Sequence, residues 1–439
     1  MARPVVSLIV VSRDRPDELA AHLSCLRFQT AIGFETIVVS NLPAPTGYQP
    51  NPLIHIDCQE ANISLARNLG IERAQGGYII FCDDDCLPEP NFLARMTQPF
   101  EDLRVGAVGG VTRGANGVGT QWDAAGFGRD GVDYPLKLNR TAPYTVFEPR
   151  LDKFVKTVGT ACAFRADALR AIGGFDPAYR YYFDETDVNL RMSEAGWATA
   201  IVPRAQVHHA FAAGPHRDSR RLPRDLFEIG ASSARFAHMH NPESASQAID
   251  LRRRLQRRRV YKQFNLGLFD GARLQFLLSR LDEGLKFGAA DSSPKPVNAT
   301  LPESTASLAS VTTAQRDHFL LCGSQSEMGN LAGQLAKRGK IVTLLELRPN
   351  AQPLWAYFNV EGYWYHQGGL FGQIQRRGYI VQFRTRQMYI DQETARLACF
   401  RPVNYLISTR NFRGPAAILP ELANISEMSG MILKSVDNP

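Results

Sequence analysis

No stretch of this 439-residue chain holds the roughly 18 consecutive apolar residues that a helix needs to cross a bilayer. No secretory leader is expected, since Met1-Ala2-Arg3-Pro4 runs straight into an apolar strand. Cysteine is scarce, with seven residues spread over the chain, an odd number that argues against a disulfide framework. Cys82 and Cys86 lie close together, but no second Cys/His pair stands at zinc spacing. Neither sign of charge dominates: 50 Lys and Arg against 43 Asp and Glu leave a net +7. No recognised nucleic-acid module accompanies that charge, so nucleic acid is not an expected partner. These absences describe a reduced, cytoplasmic protein. A hydrophobic content of 44% supplies an ordinary core, and the length fits roughly two to three domains.

What is present is organised around Tyr78-Ile79-Ile80-Phe81-Cys82-Asp83-Asp84-Asp85-Cys86. The apolar half reads as one buried strand, and three carboxylates follow it at once. Leu87-Pro88-Glu89-Pro90 should then stop any regular element. A buried strand that ends in acids presents them in the crevice where open α/β sheets bind ligands. Adjacent like charges call for a cation, and hard ions such as Mg2+ or Mn2+ prefer carboxylate oxygen. An acidic surface turn would be written in the same letters, so the neighbours have to decide.

Val5 to Val11 forms a first β-branched core strand. Asp14 is a plausible N-cap for the helix that follows, with Pro16 in its first turn. Glu35 to Val39 and Leu53 to Ile56 read as further strands, and Asn62 to Gly70 opens a helix. Strand, helix, strand, helix and strand in succession predict a parallel doubly wound sheet. The stretch from Val105 to Arg150, rich in Gly and aromatics, reads as loops that shape a substrate pocket. Thr157 to Arg165 reads as a strand, and Gly173-Gly174-Phe175-Asp176 as a turn. Asp184-Glu185-Thr186-Asp187 precedes a helix, where acids suit the N-terminal dipole. Ala200-Ile201-Val202 is a strand, and Val207-His208-His209 brings two adjacent histidines.

The order of these motifs resembles the inverting glycosyltransferases of family 2, which have the GT-A fold. The matching features are the first strand with its Arg-Pro helix, Ala66-Arg67-Asn68-Leu69-Gly70 and Phe81-Cys82-Asp83-Asp84-Asp85. Gly173-Gly174-Phe175-Asp176, Asp184-Glu185-Thr186-Asp187 and Val207-His208-His209 complete the series. The likeness runs from about residue 5 to 240.

The resemblance implies a nucleotide-sugar donor, UDP-linked in most members, and a glycan or lipid-linked acceptor hydroxyl. It implies donor contacts from Val11, Arg13, Ser40, Arg67, Asp83 and Asp84. Asp85 becomes the direct metal ligand, with Asp83 at the ribose or a metal-bound water. His209, or failing it His208, completes the shell of a Mn2+ or Mg2+ ion. The family's base is the second acid of a Glu-Asp pair; here Asp184-Glu185 stands in its place. That puts Glu185 at the base position, with Asp187 as the alternative. Many members carry an Asp at the end of the second strand to contact the nucleotide base. Ser40-Asn41 replaces it, so dTDP or GDP donors stay open.

Beyond this unit, His216-Arg217-Asp218-Ser219-Arg220-Arg221 is a loop suited to close over a diphosphate. A helical stretch contains Arg252-Arg253-Arg254 and Arg257-Arg258-Arg259, either a solvated face or a contact for an anionic membrane at its inner surface. Ala289 to Thr313 reads as a linker. From His318, strand, glycine turn, helix and strand resemble the N-terminal half of a GT-B glycosyltransferase. Its loop from Gly323 to Gly329 lacks the Gly-x-Gly-x-x-Gly spacing of a dinucleotide site. The expected fold is thus α/β: a GT-A unit with a mostly parallel Rossmann-like sheet over 1–240, a basic helical extension over 241–315, and a smaller Rossmann-like domain over 316–439. That last domain is expected to serve acceptor contact or self-association as a homo-oligomer, with Tyr363-Trp364-Tyr365-His366 either in its core, the preferred reading, or on a sugar-stacking surface. The rival readings are a sugar-1-phosphate nucleotidyltransferase, disfavoured by the lack of glycine in Ser12-Arg13-Asp14-Arg15-Pro16, and a non-catalytic scaffold.

Overall fold

The computed structural model describes residues 4–31, 33–47, 52–150, 152–290, 311–375, 380–408 and 412–413. The large sheet begins with Val6–Ser12 (β1), Phe34–Ser40 (β2), Leu53–Asp57 (β3) and Tyr78–Phe81 (β4), joined by helices Pro16–Leu26 (α1) and Ile63–Arg73 (α2). Cys86–Pro88 (β5), helix Phe92–Thr97 (α3), Val105–Arg113 (β6) and Thr120–Trp122 (β7) follow. Ala125–Gly128 (β8), Asp133–Pro135 (β9), Thr145–Phe147 (β10) and Lys153–Lys156 (β11) come next. Cys162–Arg165 (β12), helices Ala166–Ala171 (α4) and Asp184–Glu194 (α5), and Ala198–His209 (β13) end the unit.

The strand order is β10-β13-β6-β12-β4-β1-β2-β3, with β5 on β13 and β7 on β6. The pairs among β1, β2, β3 and β4 are parallel, as the alternation of strands and helices requires. β12 lies antiparallel between β4 and β6, so the sheet is mixed at its centre. Both faces of β12 are covered and all four residues are buried, which is why its letters do not reveal its direction. The strand expected over Thr157 to Arg165 is correspondingly shorter, Cys162–Arg165. Burying apolar side chains such as Ile9, Ile80 and Val108 stabilises this layer by roughly 1.5–3 kcal/mol each. The mixed α/β sheet is GT-A-like, as the resemblance implies.

Two local expectations are corrected. Asp14 does not cap α1: Arg15 holds the N-cap position without a side-chain bond, while Asp14 sits at φ 57°. Its backbone N–H donates to Asn41 Oδ1 and its Oδ1 accepts from Asn41 Nδ2 at 2.7 Å, so a distant residue claims the carboxylate. Nor do the prolines prevent a strand, because Pro88 closes β5, which pairs antiparallel with Val207, His208 and His209. Proline is tolerated there because β5 is a short strand outside the main order.

Helices Phe227–His240 (α6), Ala245–Asn265 (α7) and Gly271–Ala290 (α8) form a layer, with Leu226, Ile229, Val260, Leu277 and Leu281 in one cluster. Most of the expected linker, 291–310, lies outside the described residues. The C-terminal unit comprises His318–Cys322 (β14), helix Gln325–Lys337 (α9), Ile341–Arg348 (β15), Trp355–Phe358 (β16) and Trp364–Gly369 (β17). Helix Arg386–Ala398 (α10), Tyr405–Ser408 (β18) and Phe412–Arg413 (β19) complete it. Strands β17, β15, β14 and β18 are parallel neighbours in that order, a Rossmann-like arrangement. Tyr363, Trp364, Tyr365 and His366 are buried in its core. Among the described residues no helix is long and apolar enough to cross a membrane.

Candidate active site

The end of β4 delivers Asp83, Asp84 and Asp85 beside the end of β1, its parallel neighbour. Each acid then finds a different environment. Asp84 turns inward, where Oδ2 accepts from Ser12 Oγ at 2.8 Å and Oδ1 from Arg15 at 2.9 Å. Burial lifts its pKa to about 7 despite Arg15. Asp85 is buried at the junction of three elements: His209 Nε2 lies 3.1 Å from Oδ1, the Ala212 amide donates to Oδ2, and Arg15 and Arg217 stand at 3.5 and 3.8 Å. Burial alone would raise Asp85, but His209, Arg15 and the Ala212 amide together hold it below the ordinary carboxylate range. A third of the Asp83 side chain is exposed, and Arg67 lies 3.7 Å away. The expectation that three acids need an external cation is therefore only partly met, because Arg15, Arg67 and Arg217 share their charge.

Arg67 sits on α2, whose N-cap Asn62 accepts from the Leu65 amide. The buried guanidinium reaches across to Asp184 at the start of α5, in an ion pair between residues 117 positions apart. Burial alone would depress Arg67, and the charges of Asp184 and Asp83 more than offset it. Room for this guanidinium comes from Gly159, where a Cβ would stand within contact distance of the Arg67 nitrogen. The approach to α5 is strained: Tyr182 and Phe183 lie at φ 76° and 67°, a region costly for side chains with a Cβ. Phe183 is held there by Phe127 and Phe236, with ring centroids 5.4 and 5.0 Å away. Asp184, which follows directly, meets Arg67. Glu185 is half-buried, and burial, then the neighbouring charge of Asp184, pushes its pKa well up.

Not every residue expected at the site arrives there. Val11, Arg13, Asp83 and Asp84 line a pocket of about 190 Å3 together with Arg15, Asn62 and Tyr181. Ser40 is buried and faces His55 at 3.1 Å; its neighbour Val39 lines the pocket instead. Asp187 points away, holding Arg191 at 2.5 Å and His240 at 2.7 Å. His208 faces the opposite side of β13 from His209, with Nε2 2.7 Å from Glu89. That division follows from strand alternation.

Arg15, Ser12, Tyr181 and Gln121 were not singled out from sequence. Arg15 was visible only as part of a helix lead-in. Tyr181 stacks on His216, with centroids 4.0 Å apart, and so ties the expected arginine-rich loop to the pocket wall.

The donor atoms of Asp85, Cys86 and His209 lie within 4.8 Å of one another. Burial raises Cys86 well above the ordinary thiol range, so it stays protonated in the apolar cluster that also contains Cys82. His209 Nδ1 lies 2.9 Å from Gln121 Oε1 and serves as its donor. Nε2 is then the ring nitrogen turned toward the Asp85 carboxylate, 3.1 Å from Oδ1. Two electron-rich atoms at this separation fit a divalent cation that accepts both oxygen and nitrogen.

Residues 54–226 match the family described as glycosyltransferase like family 2. A protein of Bacillus subtilis (strain 168), the uncharacterized glycosyltransferase YwdF, is 26% identical over 214 residues, covering 47% of this chain and 74% of that protein. The N-acetylglucosaminyl-diphospho-decaprenol L-rhamnosyltransferase of Mycobacterium tuberculosis is 37% identical over 60 residues, 14% of this chain and 20% of its own length. Among solved structures, GalNAc-T7 with UDP, GalNAc and Mn2+ superposes with a TM-score of 0.41 at 12% identity, covering 54% of this chain and 48% of that one.

Proposed function

From the match of residues 54–226 to glycosyltransferase like family 2, we infer that the chain is an inverting, metal-dependent glycosyltransferase. Its donor is a nucleotide-diphosphate sugar, UDP-linked in the first instance, and its acceptor is a hydroxyl of a glycan or lipid-linked glycan. One observation carries this reading: Arg67 touches both Asp83, on the pocket, and Asp184, beside the base position. A single guanidinium thus holds together the two acidic clusters that a displacement at an anomeric carbon requires.

In this reading Arg13, Arg15 and Arg217 face the donor phosphates from the pocket wall. Asp85 and His209 are the residues that would hold a divalent ion, and such an ion supplies charge stabilisation to the departing diphosphate. Glu185 takes the proton from the acceptor hydroxyl. The acceptor oxygen forms its bond to the anomeric carbon from the face opposite the leaving group. The bond from that carbon to the diphosphate oxygen breaks, and the nucleoside diphosphate leaves with the electron pair. The raised pKa of Glu185 suits a base that must hold a proton after the transfer.

The test is release of nucleoside diphosphate from a panel of nucleotide-sugars with Mn2+. Glu185→Gln should abolish transfer and leave donor binding nearly intact. Wild-type turnover in that variant would move the base elsewhere, and pyrophosphate release in place of nucleoside diphosphate would indicate a nucleotidyltransferase. We place the reaction in the cytoplasm, at the inner membrane face if the acceptor is lipid-linked. Of the six arginines on α7, Arg254, Arg258 and Arg259 remain exposed and are the ones able to meet anionic headgroups. Arg253 and Arg257 are occupied by Asp282.

A further inference from the structure

A second cleft, of about 710 Å3, opens where the GT-A-like unit meets the C-terminal unit. Arg113, Arg140 and Arg204 line it from one side and Arg396 from the other, and no carboxylate is part of its lining. Two of the four guanidiniums have carboxylate partners, Asp123 for Arg140 and Glu393 for Arg396. Among the described residues neither Arg113 nor Arg204 has one. Arg113 is half-buried and spends its donors on uncharged oxygens, those of Gln206, Val118 and Thr120. A half-buried guanidinium whose hydrogen bonds all go to uncharged oxygens favours an added counter-charge. Burial, followed by the charge of Arg396, pushes Arg113 down to about 10.

The cleft is shaped by the fold. The register of β13 on β6 jumps between Ile201 and Gln206, and such a bulge re-aims the residues it contains. Pro203 and Arg204 reach the cleft through it. On the opposite wall, Gln382 and Gln392 spend their oxygens on Arg384 at 2.8 and 2.7 Å, which leaves their amide nitrogens as the donors on offer. Arginine forks and amide donors converging without an acid is the chemistry that recognises phosphate oxygens.

We propose that this inter-unit cleft is a binding site for a phosphate-bearing ligand, separate from the donor pocket, held by Arg113, Arg140, Arg204 and Arg396. The site lies close to the reaction centre. Strand β7 carries Thr120, which accepts from Arg113, next to Gln121, which accepts from His209. The inference does not depend on the chain being a glycosyltransferase.

The experiment is calorimetric titration of the full chain with inorganic diphosphate in metal-free buffer, compared with an Arg140→Glu/Arg204→Glu variant. Arg204 is exposed and Arg140 is half exposed, so both changes leave the core intact. Diphosphate affinity should fall by about tenfold or more, equivalent to about 1.4 kcal/mol. An equal charge reversal on α7, Arg254→Glu/Arg258→Glu, should leave it within about twofold. Undetectable binding to the wild type, or equal losses in the cleft and α7 variants, would overturn the proposal. Competition by phosphatidylglycerol vesicles but not phosphatidylcholine vesicles would identify a lipid headgroup as the phosphate's source. Absence of competition, with diphosphate bound, would identify a soluble phosphorylated compound.

Discussion

Arg401 of the C-terminal unit forms an ion pair with Glu89 of the GT-A-like unit, Nε to Oε2 at 2.9 Å, with both side chains fully buried. His208 occupies the other carboxylate oxygen at 2.7 Å, and the Arg401 guanidinium lies 4.2 Å from the centre of the Trp364 ring. Burial would raise Glu89, but Arg401 and His208 hold it down at about 2. The two units therefore share one buried charge network. Removing one partner leaves the other charged and unpaired, which costs roughly 3–5 kcal/mol. Arg401→Ala should lower the denaturation midpoint accordingly, while Arg401→Met with Glu89→Leu should recover much of the loss. Chemical denaturation of the three chains checks this, and an unchanged midpoint in Arg401→Ala would show that the interface is not held by the pair.

Arg67 links the two acidic clusters through one planar group. Lysine keeps the charge but cannot present a fork to two carboxylates. Arg67→Lys should lower kcat by roughly 100-fold, the scale for losing one preorganised donor, in a protein with wild-type circular dichroism. The effects of Arg67→Lys and Asp184→Asn should be strongly non-additive, because both act on the same contact. Additive losses in the double variant would separate their roles.

On the proposal that Glu185 is the base, turnover should depend on pH through its carboxyl. A base whose pKa is raised is competent only above that raised value, so kcat/KM should fall as pH drops through it. The acidic limb should therefore lie above the ordinary carboxylate range. Asp184 is second only to burial among the causes. Asp184→Asn should shift the limb to lower pH. A limb that stays put would mean that another group titrates.

Stability should respond to pH through the C-terminal unit. His318 and His366 are buried neutral and are pushed down to about 3 and about 4, by burial first in each case. The unfolded chain takes up their protons from near the ordinary value of 6.5 downward, while the folded chain does not. Stability is then lost as pH falls from 6.5 toward 4, by up to about 1.4 kcal/mol per unit for each histidine. Thermal melts across that window should show a steeper decline in the wild type than in His318→Gln, whose side chain keeps a polar group toward Thr343.

The legible parts of this chain were those set by local pattern. β1, β2 and β4 are apolar runs that read as buried strands, and the helix read as opening over Asn62 to Gly70 is present as Ile63–Arg73. The direction of β12 was not legible, because a strand covered on both faces has the same composition either way. Asp14 was assigned to its own helix because sequence shows neighbours, whereas its partner Asn41 belongs to another strand end. Glu89 was hidden for the same reason on a larger scale: between two prolines it reads as a turn residue, and its partner Arg401 lies on another unit. At the site, the acids and His209 were readable from their order. The part of Arg15 in neutralising Asp84 and Asp85 was not, since a guanidinium on a long stem can serve a carboxylate from many positions.

The absent side chain at Gly159 has a practical use. A methyl group there would occupy the space of the Arg67 guanidinium and so would press on its ion pairs with Asp83 and Asp184 while removing no charged group. Gly159→Ala thus offers a steric key to the proposed site: a neutral, single-carbon change that, on the proposed roles, should loosen the link between donor binding and proton abstraction while every titratable group stays in the chain. Such a variant would let substrate capture be studied without turnover, and a bulkier residue at the same position would grade the separation.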